Sequence, residues 1–111
     1  MFAFFNLKAI NPLQDINRFY AIRVDKTLFE EYLLQIVHGR TGFKGRTRNY
    51  YFKEAQPLSL QLEKTLKKRF NATSRLGTNY VLLTQNYDQS FAQEILEKFK
   101  NPLLIDGLSQ N

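Results

Sequence analysis

Through the first half of the chain apolar residues alternate with polar ones, the period of two that marks half-buried strands. Residues 2–9 carry three Phe in a weak alternation and predict a first strand. Asn11-Pro12 and then Asp15 to Asn17 favour a turn after it. Arg18 to Val24 is β-branched and aromatic. It places Tyr20, Ile22 and Val24 on one face of a second strand and Phe19, Ala21 and Arg23 on the other. Asp25 to Glu31 is a polar connection. Tyr32 to His38 predicts a third strand, with Leu34, Ile36 and His38 on a common face, and Thr47 to Phe52 a fourth.

The period changes after Glu54. Leu58, Leu62, Leu66 and Phe70 recur at i+4 and predict a helix over 54–70. Pro57 falls in its opening turn, and Lys67-Lys68-Arg69 complement the helix dipole in its last. Asn71 to Gly77 reads as a loop, Tyr80 to Thr84 as a short strand, and Ser90 to Lys100 as a second helix stopped by Pro102. The Gly107–Asn111 tail is expected to fray. The sum is an α+β domain: a mostly antiparallel sheet packed by one main helix. Residues 1–85 form this unit, and residues 86–111 are a helical extension packed on it.

Composition narrows the class. The 111 residues suit one compact domain, and 43% hydrophobic with 14% aromatic residues is enough for a core. There is no cysteine, so disulfides and thiolate metal sites are excluded. Met1 to Phe5 is apolar but lacks a basic leader and meets Lys8 too early for a signal peptide, and no apolar run approaches a membrane span. The expectation is a soluble, intracellular, cytoplasmic protein.

The net charge of +6 is unevenly placed. Residues 40–75 hold ten Lys/Arg against Glu54 and Glu63, whereas the remainder has six against eight acids. A local field of one sign attracts polyanions. Composition alone supports a solvated basic surface equally well.

That excess begins at Val37-His38-Gly39-Arg40-Thr41-Gly42-Phe43-Lys44-Gly45-Arg46-Thr47-Arg48, with three glycines three residues apart and cations around them. A phosphate backbone rewards cations on a rigid rim, since each contact releases counterions. Arg adds bidentate geometry, and glycines let backbone N–H groups join as an anion nest. The plainer reading is an ordinary hairpin whose cations keep its edge from aggregating. The run is neither a P-loop nor a dinucleotide fingerprint, because it joins strand to strand. His38 is the single histidine, so no His-based metal cluster exists, and no pair of acids is spaced for acid–base work. No enzyme and no cofactor are expected.

With these residues in view, the chain resembles the WGR domain, known from eukaryotic poly(ADP-ribose) polymerases and from small bacterial proteins. Asn17-Arg18-Phe19-Tyr20 matches the opening Asn, basic residue and two aromatics, and Leu28-Phe29 matches a Leu-Phe of many bacterial members. The signature Trp-Gly-Arg-x-Gly-x-x-Gly reads here His38-Gly39-Arg40-Thr41-Gly42-Phe43-Lys44-Gly45. Ala55, the basic helix end Lys67-Lys68-Arg69, Gly77 and Tyr80 continue the pattern, which covers roughly residues 2–84. Two positions depart from it: His38 replaces the signature Trp, and Glu30 replaces the usual Gly after Leu-Phe.

The resemblance implies nucleic-acid binding, DNA ahead of RNA, on duplex or strand ends. Arg40 leads, Lys44, Arg46 and Arg48 hold phosphates, and His38 takes the stacking position over less area than Trp. A protonatable ring against phosphate predicts affinity rising below about pH 6.5. Arg18 and Asn17 lie where family members also reach nucleic acid, although Asn17 equally suits a turn. Tyr80 could stack on a base or belong to the core. Lys64, Lys67, Lys68 and Arg69 read as a solvated helix face, and Phe91, Ile95 and Phe99 as core or a dimer surface. The alternative is a protein-interaction module with a separate partner; neither a membrane partner nor an oligomeric state is implied.

Overall fold

A computed structural model of the chain describes residues 2–72 and 77–101. Part of the expected 71–77 loop, and Pro102 with the tail after it, lie outside the described residues. Five antiparallel strands, β1 (Ala3–Asn11), β2 (Ile16–Lys26), β3 (Tyr32–Arg40), β4 (Arg46–Phe52) and β5 (Val81–Tyr87), form one sheet in the order β4-β3-β2-β1-β5. Helix α1 (Ala55–Phe70) follows β4, and the short helix α2 (Gln89–Glu94) follows β5. The fold is therefore α+β and mostly β.

Alternation decides which face is buried. Ala3, Phe5 and Leu7 of β1, Ile22 and Val24 of β2, and Leu34 and Ile36 of β3 all turn to one side. Leu58, Leu62 and Leu66 of α1 lie over them, each fully buried. Register keeps this arrangement unique, because a one-residue slip would turn every one of these side chains to solvent. The strands outrun the apolar pattern at their ends. β2 gains Ile16 and Asn17 by pairing with β1, and Asp25 and Lys26 by pairing with β3, past the core at either end.

The second helix differs from the sequence pattern. Its α-helical part ends at Glu94, and a 3-10 turn over Leu96–Lys98 follows. This tighter turn buries Leu96 together with Phe91, Ile95 and Phe99, which a plain i+4 stripe does not require. Buried Ser59 of α1 donates to the Ile95 carbonyl at 2.9 Å, satisfying an acceptor at the break. The Glu63 carboxylate accepts the backbone N–H groups of Lys100 and Asn101 at 3.0 and 2.7 Å. Glu94 takes the Tyr32 hydroxyl at 2.6 Å and the Lys26 ammonium at 3.0 Å. Burial, and then the bond to Glu94, push the Tyr32 phenol up to about 12.

The β2–β3 hairpin closes through Thr27, whose hydroxyl accepts the N–H groups of Phe29 and Glu31. Glu30, the position at which the WGR pattern it resembles has Gly, keeps a left-handed backbone with φ 61°. An L side chain there costs about 1–2 kcal/mol, and Gly gives back part of this as unfolded-state entropy. Glu30→Gly is therefore expected to raise unfolding stability by roughly 0.5–1 kcal/mol in urea titration.

Candidate nucleic-acid interface

Strand register gathers the candidate residues. Tyr20 pairs with His38 and His38 with Arg46; Ile22 pairs with Ile36 and Ile36 with Arg48; Arg18 pairs with Arg40. Paired residues of an antiparallel sheet share a face. Arg18, His38, Arg40, Arg46 and Arg48 thus all lie on the side that carries α1, at the sheet end beside the β3–β4 turn. Asn17 falls on the opposite face, and its carbonyl accepts the Thr41 N–H at 2.9 Å. Lys44 is exposed in the turn. Tyr80 is nearly fully buried, edge-on to Tyr20 with ring centroids 5.8 Å apart, which assigns it to the core.

Two of the three glycines close the hairpin on itself. A Cβ on Gly39 would meet the Gly45 Cα at 2.8 Å, and one on Gly45 would meet the His38 carbonyl oxygen at 2.7 Å. These glycines serve backbone contact inside the protein, where the sequence suggested an anion nest. The Phe43 N–H is likewise used, donating to the Arg40 carbonyl at 3.1 Å.

Beyond this rim a cleft of about 360 Å³ opens between sheet and helix. Tyr20, His38 and Arg48 line it from the strands, and Lys64, Lys68 and Arg69 from α1. Among the described residues, no Asp or Glu lines it. Lys64, Lys68 and Arg69, which the sequence assigned to a solvated face, thus become the second wall of the site. Arg69 is held over the Tyr20 ring at 4.5 Å and near Tyr80 at 5.9 Å, and its Nε is buried without a hydrogen-bond partner among the described residues. Arg40 differs from these cations, for it is bridged to Asp15 at 3.3 Å. The polar stripe Gln61, Thr65 and Arg69 beside the leucine stripe was the available signal for this wall.

His38 stacks on Tyr20 at 5.4 Å between centroids. Its burial, and then Arg48, Arg69, Arg46 and Arg18, hold the imidazole below its ordinary value. A phosphate bound at the cleft would offset the cations and raise the imidazole's basicity, so binding would take up a proton and tighten as pH falls through the bound-state value. Folding runs the other way. The unfolded chain gains its proton near pH 6.5, so the stability tied to neutral His38 is lost as pH falls toward the lowered folded value. Both trends are expected to vanish in His38→Asn, read by anisotropy and by urea midpoints between pH 5 and 8.

Among the described residues no three His, Cys, Asp or Glu side chains are grouped to hold a metal, and no helix is long and apolar enough to cross a membrane. A sheet with one packed face and a cationic cleft at its end defines a small binding module. The family model of the WGR domain matches residues 3–75, more than half of the chain, and the protein belongs to that family. WGR domains bind nucleic acid in poly(ADP-ribose) polymerase-like proteins and are not catalytic by themselves. No curated protein matches the chain.

Proposed function

We propose that this WGR domain binds DNA, along the duplex or at a strand end, through the basic rim and the cleft behind it. Arg18, Arg40, Lys44 and Arg46 meet the backbone at the rim, and Arg48, Lys64, Lys68 and Arg69 hold phosphates further in. The observation that carries this reading is the cleft itself, with four cations and no carboxylate among the described residues that line it. Such a surface gains by releasing condensed counterions, and Arg supplies forked donors to phosphate oxygens.

Fluorescence anisotropy with blunt, nicked and single-stranded DNA and with RNA, at two salt concentrations, tests it. With about three to five of these eight cations on phosphate at once, log K is expected to fall with log salt at a slope of about −3 to −4. Arg40→Glu is expected to remove most of the binding, because it places a second carboxylate beside Asp15 at the rim. Full affinity in that variant, or no DNA shift at low salt, refutes the proposal.

A protein partner is the second reading. Leu28 and Phe29 are 99% and 84% exposed at the far end of the sheet, beside Glu30 and Glu31. A complex seated there would survive high salt, whereas one on the cleft would not.

A further inference from the structure

The aromatic side chains at this end of the sheet are unequally free. His38 stands where a stacking ring is expected, but it is already stacked on Tyr20 with an interplanar angle of 30°. Tyr20 and Tyr80 are buried. Phe43, at the tip of the β3–β4 turn, is 69% exposed. The turn that carries it is stiff: the Phe43 N–H is bonded to Arg40, and Gly39 packs backbone to backbone against Gly45. The Arg40 guanidinium lies 5.9 Å from the ring centroid, and Lys44 follows it in the chain.

A lone exposed apolar side chain needs no explanation on its own. Its surroundings decide what it fits. Phe29 is as open, yet it sits in a turn beside Glu30 and Glu31, and Tyr51 lies on the opposite face of the sheet. Phe43 is the exposed ring that shares its turn with the rim cations. A rigid ring flanked by two cations matches a base whose phosphates run alongside, for every base offers a π-face and stacking tolerates sequence. A base inside a duplex has no free face, and a terminal pair offers one only across the helix axis, whereas an unpaired base can turn its face to a ring held beside the backbone.

We propose that Phe43 stacks on an unpaired base next to the duplex, so that the domain prefers a duplex bearing an overhang to a blunt one. This rests on the DNA-binding reading above and adds to it the structure of the preferred DNA. The phosphate contacts set how strongly any duplex is held, and Phe43 sets the gain from the free base.

The test uses the full chain and two probes of equal length, a blunt duplex and one with a single unpaired terminal 2-aminopurine. Wild type is expected to bind the overhang about tenfold more tightly, the effect of roughly 1.4 kcal/mol of stacking, and to quench the 2-aminopurine. Phe43→Ala is expected to lose that tenfold and the quench, keeping blunt affinity and salt slope within twofold. Phe43→Tyr should keep both, and Phe43→Leu, which retains bulk but no π-face, should lose the quench. Equal losses on the two probes, or a quench undiminished in Phe43→Ala, overturn the inference and leave the DNA-binding proposal standing. A wild type that binds neither probe removes both.

Discussion

Arg48→Glu combined with Lys68→Glu is expected to lower affinity for a DNA duplex at least a hundredfold at low salt. Each residue forms one wall of the cleft, Arg48 from β4 and Lys68 from α1. A hydrogen bond to a charged group contributes about 1.5–3 kcal/mol, so losing two removes roughly 3–6 kcal/mol, and tenfold corresponds to about 1.4. The reversed charges also repel phosphate, which adds to the loss. The salt slope should become shallower by about two units. Both side chains reach solvent, so circular dichroism should stay that of wild type. The single variants indicate which wall leads. If the double variant binds within threefold of wild type, the cleft is not where the polyanion sits.

The largest effect on stability is expected from Gly45→Ala. Gly45 has φ +79°, and its added Cβ would stand 2.7 Å from the His38 carbonyl oxygen and 2.8 Å from the Phe19 ring. The left-handed backbone alone costs an L residue about 1–2 kcal/mol, and forcing a methyl into backbone contact costs about 1–3 more. A loss of roughly 3 kcal/mol is therefore expected in urea unfolding, a large share of a small domain's total. Gly42→Ala is the control. Gly42 also has positive φ, at +92°, but nothing lies within 4 Å of its added Cβ, so the conformational cost of roughly 1–2 kcal/mol stands alone. Equal losses at the two positions would mean that the close packing of the hairpin contributes nothing.

The sheet and α1 were legible because a single buried face writes a period. Tyr20, Ile22 and Val24, or Leu58, Leu62 and Leu66, can be assigned without knowing their partners. The family was legible from the order of short motifs that are individually common. The cleft was not. Lys64 and Lys68 look alike on a helix that faces water and on one that overhangs a sheet, and the difference lies in which flank of the leucine stripe meets β3 and β4. That flank depends on how the helix crosses the strands, a long-range quantity without local sequence expression. The break in the C-terminal helix was hidden for a similar reason, since Ser59, which takes up the Ile95 carbonyl, is 36 residues away. The ion pair between Arg40 and Asp15 likewise forms across 25 residues.

A cleft whose charged lining residues are all cations has a consequence for handling the protein. Arg48, Lys64, Lys68 and Arg69 stand together at the cleft, and like charges gathered on one surface repel, so a bound anion there would relieve the folded state of a cost. If DNA binds there as proposed, buffer phosphate, sulfate or heparin resin would compete for the same cations. A preparation in such a buffer would melt higher and bind DNA less, and the two shifts would have one origin.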